Sequence, residues 1–569
     1  MSYLNDDGKI TRIYSGFRGV DFRGQEINLI RSPDALNVWK DYTHTESIRT
    51  RPEMELKESL SDPIYGVFFY KGMMLVHSGT TLYKVVNGAK STLKTGVNAI
   101  VSDSFVFDDI WYFKDGKKYW QYDGKDFKEV VGFVPTTSIG RKPGGGGTIH
   151  QDVNLLTGRR KNTFLSDGVS TKYYLDTKKI DSSFKPVIKM PNNEGDWVEV
   201  DFPYDVNYAE GLITFTDAEK VPGVPHTDGQ DNVEIEFQKT IDTYREAIEK
   251  TTMLQVFDNR VFFSGNPDFP NVVWHCSLND PSYCSDLDYY NEGTDSAAVK
   301  GMVAGNNALW VFREPSDANT TVFYHTPTID DQYGKIYPNT HSSITAGCIG
   351  KAINFNDDIV FFSERGMEGI SGDVTTEQVL GHRSTLVDRK MIAEKAYKDM
   401  VLAEWEGYLF VFIGNQAYLA DSRAVFTNEN HIEYDWFYWE LPHEITCAKV
   451  NEGILYLGTK NGIYTLTDTK SPVESYWTTP KDKFKYPQKL KTTNKRGCVV
   501  EATGDISVYA KLEDTEFELI GTYENVTDYF VSRIKRKKFK DLQLKFYSPT
   551  GFSLETATLE CFIGGYIKR

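Results

Sequence analysis

A chain of 569 residues is too long for one ordinary hydrophobic core. Its formal charge of −16 argues against a protein that wraps nucleic acid, because a broad basic surface is needed to displace counterions from phosphates. A mean hydropathy of −0.44, with no run near the roughly 18 apolar residues of a membrane span, excludes a transmembrane helix. The 34 Tyr, 34 Phe and 10 Trp favour strands, where flat side chains pack on a pleated surface. The opening MSYLNDDGKITRIY is polar and acidic and lacks the regions of a signal peptide, so synthesis and folding in a cytoplasm are expected.

Residues 1–60 differ in character from the rest of the chain. They carry Arg18, Arg23, Arg31, Arg49 and Arg51 with little alternation, and Ser32–Trp39 (SPDALNVW) predicts a short helical turn capped by Ser32 with Pro33 at its first position. Such an arm has few ways to bury itself, so it is expected to dock either on the propeller or on a neighbouring subunit. Residues 61–139 bring the first copies of a recurrent hairpin, LVHSGTTLYKV (Leu75–Val85) and WYFKDGKKYWQYDG (Trp111–Gly124). Each is an apolar or aromatic run, a turn with Gly, Asn or Asp, and a second such run.

A Gly-rich loop then opens a segment of different vocabulary. Residues 140–245 alternate polar and apolar positions, as in VEIEF and GLITF, and predict an inserted β-sandwich. The stretch Thr243–Phe257 is expected to hold one helical turn. Hairpins resume over 246–472, with IVFFSERGMEGISG (Ile359–Gly372), LFVFIGNQAYLAD (Leu409–Asp421) and LYLGTKNGIYTLTD (Leu455–Asp468). Val387–Met400 is the one convincing helical pattern. Residues 473–569 alternate again and form a C-terminal β-domain. Its basic run Arg533–Lys540 is either a solvated strand edge that discourages pairing or a contact for an anionic partner, protein or DNA. Small sheets of one design repeated over some four hundred residues define an all-β fold: a β-propeller of six to eight blades with an inserted β-sandwich module and a C-terminal β-domain.

Catalytic motifs are few. No G-x-S-x-G elbow, H-E-x-x-H helix or phosphate loop is present, the histidines do not pair at metal-ligand spacing, and no cofactor is called for. Paired carboxylates among Asp103, Asp108, Asp109, Asp357 and Asp358 would suffice for a glycosidase, but Asp at these positions also suits hairpin turns. DWFYWE (Asp435–Glu440) suits a sugar platform or the filling between sheets. The six cysteines fall at no regular spacing, which favours reduced, buried thiols over disulfides.

The phrase FRGVDFRG…RSPDALNVWKDY…IRTRPEME resembles the start of tail nozzle, or tail hub, proteins of tailed bacteriophages. The shared features are the Gly-containing opening (Phe17–Asp21), Asn37-Val38 and Arg51-Pro52. DNRVFFSGNPDFPNVVWHCSLNDPSYCSD and YWTTPKDKFKYPQKLKTTNKRG are similar to later parts of that family. The resemblance implies a non-enzymatic structural virion protein, assembled in the host cytoplasm. It implies a ring, usually six-fold, below portal and adaptor proteins, bearing tail fibres or other tail proteins. Such a ring closes the channel, retains packaged DNA and passes it at ejection without specific binding, and no membrane is involved. On this reading Arg18, Arg23, Arg31, Arg49 and Arg51, with Arg533, Lys535, Arg536, Lys537 and Lys538, are interface candidates. A receptor- or glycan-binding tail propeller is the alternative, and a propeller glycosidase comes after it.

Overall fold

The computed structural model describes all residues except 1, 5–7, 25–26, 42–46, 193, 318–319, 332–333, 372–373, 375–377, 429–430, 469–471, 536 and 567–569. Of residues 2–4, 426–428, 431 and 496 it describes the backbone alone. Among the described residues are seven four-stranded sheets, five of them built wholly of successive hairpins. They are the blades of a propeller, and the described residues are all-β apart from three short helical segments. The recurrent hairpins make up pairs of adjacent strands in these sheets. In the sheet of the Ile359 hairpin, Asn356 and Asp357 both adopt positive φ (52° and 63°) between Ala352–Phe355 and Asp358–Ser363. Asp108 and Asp109 do the same between Asp103–Phe107 and Ile110–Lys114. Short polar residues tolerate this left-handed geometry, and it matches the twist of the flanking strands.

The chain divides into two compact units, Met1–Val101 with Lys300–Thr326 and Thr340–Arg569, and Ser102–Val299 with Pro327–Asn339. In the first, four blades comprise Ile64–Thr95, Ala352–His382, Val401–Glu440 and Cys447–Thr467. The last of these has only three strands of its own. Its fourth is Glu53–Ser59, which pairs antiparallel with Gly462–Thr467. The sheet of Val299–Gly305, Ala308–Arg313, Val322–His325 and Asn339–His341 falls to the same unit save its end residues Val299 and Asn339.

The C-terminal β-domain draws on both ends of the sequence. Its twelve-stranded sheet runs on Lys489–Leu512 and Phe552–Tyr566, and Lys9–Tyr14 pairs with the latter over six residues, Lys9 opposite Phe562 through Tyr14 opposite Ala557. Ala35–Leu36 pairs with Ser475–Thr478, and Val38–Trp39 with Ile48–Thr50. The expected helical turn at Ser32–Trp39 is therefore corrected to two short strands. Ser32 donates its hydroxyl to the Thr478 carbonyl (2.7 Å) while accepting from the Asp34 amide, and Asn37 turns the chain with φ 57°. Long-range pairing outweighs the local capping signal. The helical pattern at Val387–Met400 shrinks to Asp388–Met391 and a 3-10 turn at Tyr397–Asp399.

The second unit holds the blades Asp103–Glu129 and Met253–Asn291 and, between them in sequence, the insert. The insert is a six-stranded sheet (Thr136–Arg141, Thr148–Ile149, Arg159–Phe164, Val187–Pro191, Trp197–Glu199, Val233–Gln238). Facing it is a three-stranded one (Lys172–Tyr174, Tyr204–Asn207, Leu212–Phe215). A core of Phe164, Tyr173, Ile188, Ile213, Phe215, Ile235 and Phe237 lies between them, which makes it a sandwich. The expected helical turn is Tyr244–Glu249. All six cysteines are free thiols, five of them buried, and burial pushes Cys276 up to about 12.

Candidate interaction surfaces

Of the five N-terminal arginines, Arg31 and Arg51 are buried, Arg18 and Arg49 are half-buried and Arg23 is exposed. Arg18 Nε reaches Asp435 Oδ2 at 2.6 Å, and Arg31 Nη2 reaches Asp435 Oδ1 at 2.5 Å. Asp435 is 2% exposed, so one buried carboxylate takes a guanidinium on each oxygen. Burial raises its carboxyl, and the two arginines act against that rise. Arg51 is buried, donating to Asn37 Oδ1 (3.0 Å), Pro52 O (2.8 Å) and Glu440 O (3.1 Å); burial lowers its guanidinium to about 10. Arg23 pairs with Asp21 at 2.8 Å, and Arg49 with Asp41 and, at 2.9 Å, with Asp468.

The strand DWFYWE is where this arm lies. The Val20 amide donates to Trp436 O (2.7 Å) and the Asn37 amide to Tyr438 O (3.0 Å). The Glu440 amide donates to Asn37 Oδ1 (2.9 Å), and Trp439 Nε1 to Val38 O (3.2 Å). Gly19 permits the approach: at φ 82° a Cβ there would stand 2.0 Å from Trp436 O. Trp436 and Trp439 are wholly buried, and Trp439 meets Trp39 edge-on at 5.3 Å. A sugar platform on these rings is therefore ruled out, since no ligand reaches them. A second lock holds Lys9–Tyr14: Arg12 forks onto Asp482, which also accepts from the Tyr14 hydroxyl (3.1 Å) and the Phe484 amide (2.6 Å). No sequence motif marks this partnership, because the residues are 470 positions apart.

The C-terminal cations behave differently. Residues 473–569 contain 17 Lys and Arg against 13 Asp and Glu, while residues 1–472 contain 47 against 67. In the basic run, Ser532, Ile534 and Phe539 are buried while Arg533, Lys535, Lys537 and Lys538 are exposed. Arg536 lies outside the described residues. Lys535 and Lys537 only approach Glu518, at 4.0 and 3.7 Å. A second row escapes notice in the sequence: Lys481, Lys483 and Lys485 are exposed and alternate with buried Asp482 and Phe484. The two rows belong to one domain, where Thr492 pairs with Lys538 and Lys491 with Phe539, and the Lys491 ammonium donates to the Lys540 carbonyl at 2.6 Å. Burying every second side chain forces the cations outward.

Of the hairpin carboxylates, Asp357, Asp108 and Asp109 are turn residues, and Asp358 is engaged by Arg383 (2.8 Å) and by the Tyr434 hydroxyl (2.8 Å). Among the described residues no group of three or more His, Cys, Asp or Glu could hold a metal ion, and no helix is long and apolar enough to cross a membrane.

Folded this way, the chain is a β-propeller protein whose first unit carries a basic β-domain. No protein-family model matches the chain, and no curated protein does. Solved structures similar to it include BamB from Moraxella catarrhalis, at 10% identity and TM-score 0.32, covering 76% of this chain and 94% of that one. The Pan2 WD40 domain of Neurospora crassa is 7% identical, with 74% and 98% covered and a TM-score of 0.25. An exo-β-1,3-galactanase of Phanerochaete chrysosporium is 9% identical, with 54% and 94% covered and a TM-score of 0.21.

Proposed function

We propose that the chain is a structural protein of a phage tail nozzle, a ring-forming subunit below the portal and adaptor that closes the DNA channel and conducts the genome at ejection. The observation that carries the reading is the division of charge: two outward rows of lysine on the C-terminal domain, on a chain whose other residues are strongly acidic. A basic face and an acidic remainder on one subunit favour head-to-tail contact between copies, and such contacts generate a ring when the rotation between copies closes. A neutral or acidic lining lets DNA slide, since few phosphates are neutralised. The resemblance at Phe17–Asp21, Asn37-Val38 and Arg51-Pro52 supports the same reading, because those residues lock the arm onto the sheets and so serve the scaffold rather than any chemistry.

Mass photometry tests it. Ring-sized particles are expected, alone or with portal and adaptor proteins, dissociating as salt rises through the range where the Debye length falls below about 8 Å. Monomers under every condition, with no joint assembly, would refute the proposal.

A further inference from the structure

The second unit contains a cavity of about 340 Å³ that the tail reading leaves unused. Its size falls within the range of small-ligand pockets. It is walled by Tyr244 from the short helix Tyr244–Glu249, by Trp274 from the strand Val272–His275, by Tyr289 from the neighbouring strand Tyr289–Asn291, and by Phe269. Trp274 and Tyr289 stand opposite one another in register, and Phe269 meets Trp274 edge-on at 5.9 Å. Phe269 and Tyr289 are each 44% exposed, so both rings are open to a ligand. The charged group in the lining is a carboxylate, Asp286, whose Oδ2 accepts from the Tyr244 hydroxyl at 3.1 Å; among the described residues no Lys or Arg lines the cavity.

Four aromatic rings around one carboxylate have a definite electrostatic character. Ring faces are negative, so they attract a cation within about 6 Å, and a carboxylate at the wall adds a full charge to that attraction. A neutral ligand would gain from the rings but would bring no positive charge of its own to the carboxylate. We propose that this cavity binds a compact organic cation, an alkylammonium or guanidinium group, with the exposed rings of Phe269 and Tyr289, backed by Trp274, as its cage and Asp286 as its counter-ion. Burial and then nearby Asp152 raise the Asp286 carboxyl above its ordinary range, while the Tyr244 hydroxyl and Arg160 pull the other way. The balance leaves a carboxylate that an added cation stabilises.

The cation could arrive as a lysine or arginine side chain of a partner protein or as a free amine. Isothermal titration of the whole protein separates the two, using N-acetyl-arginine methylamide and N-acetyl-lysine methylamide as side-chain probes, tetramethylammonium and spermidine as free amines, and methyl β-glucopyranoside as the neutral control. At least one cation is expected to bind, with Asp286→Asn weakening it tenfold or more and Tyr289→Ala severalfold. Binding of the side-chain probes alone assigns the site to a protein partner, and binding of the free amines alone assigns it to a metabolite; either upholds the proposal. Both substituted residues are partly exposed, so unchanged unfolding midpoints are expected, and Tyr289→Phe, which keeps the ring, should bind as the parent does. Binding of the glucoside without the cations, binding of none of the five, or cation binding unaltered in both variants would each overturn it. The test needs no ring, so its failure leaves the tail reading standing and the reverse also holds.

Discussion

The two ends of the chain carry runs of cations that look alike in sequence and behave oppositely in structure. At the N-terminal end Arg18 and Arg31 share a buried carboxylate and Arg51 is enclosed by carbonyls. At the C-terminal end Arg533, Lys535, Lys537 and Lys538 are exposed to solvent, and Lys535 and Lys537 come no nearer to Glu518 than 3.7 Å. The difference is one of side chain as well as place. Guanidinium is planar, weakly hydrated and suited to forked bonds, whereas ammonium is a strongly hydrated point charge that is costly to bury. Arginine therefore staples the arm, and lysine coats a face. Net charge says how a surface meets the outside only after such internal pairs are set apart.

The contrast can be broken experimentally. Asp435→Ala strands two guanidinia against the arm, one of them buried, and should cost about 3–5 kcal/mol, read from urea unfolding; a loss under about 1 kcal/mol would mean that the staple is dispensable. Lys114 is the ammonium that does enter a core. Its Nζ donates to the carbonyls of Ile248 and, at 3.1 Å, Glu249, and burial lowers it to about 7. Lys114→Met should cost about 1–3 kcal/mol through the carbonyls left unpaired. The folded chain binds fewer protons here than the unfolded one between pH 7 and the ordinary lysine value near 10.5, so this residue makes stability rise with pH across that window. The gap between parent and variant should widen accordingly.

His382 gives the opposite sign. Burial pulls its imidazole down, but Asp388 at 2.5 Å and Glu368 at 3.3 Å outweigh it and carry the group to about 10. Its stabilisation is fully present below the unfolded value near 6.5 and is lost as pH rises through about 10. His382→Gln should cost about 2 kcal/mol at pH 6 and little at pH 11, and imidazole nitrogen shifts should report a protonated ring at pH 8. The smallest effect on folding is expected on the lysine face: Lys535→Ala with Lys537→Ala should change stability by no more than about 0.5 kcal/mol. Replacing the same pair by Glu should leave folding intact and abolish self-association in mass photometry.

The blades are legible in the sequence because their signals are local. Alternation and a turn of Asn, Asp or Gly are both contained within a dozen residues, and the left-handed φ of Asn356 and Asp357 is what those residues supply. The insert is legible for the same reason, through VEIEF and GLITF. Ser32–Trp39 misleads because a Ser-Pro cap is also local, whereas the partners that overrule it, Thr478 and the DWFYWE strand, lie some 400 positions or more away. Charge alone picks out the interface candidates, and charge cannot tell Arg31, with its carboxylate at 404 positions' distance, from Lys535. The lysine row at 481–485 could have been found by its alternation with Asp482 and Phe484. The aromatic cavity could not, since Tyr244, Phe269, Trp274 and Asp286 share no motif.

The strand Glu53–Ser59 has a further bearing on how the molecule comes into being. Its partner Gly462–Thr467 is among the last blade strands to be synthesised, so an early segment must wait, unpaired at its edge, until most of the chain exists. Closing a loop of that length carries an entropy cost that local hairpins escape, and contacts of such long range slow folding. The clasp is thus a checkpoint: a chain cut short before residue 462 can form hairpins yet cannot complete this sheet. Its open edge would then mark it as unfinished to any strand, or any chaperone, that meets it.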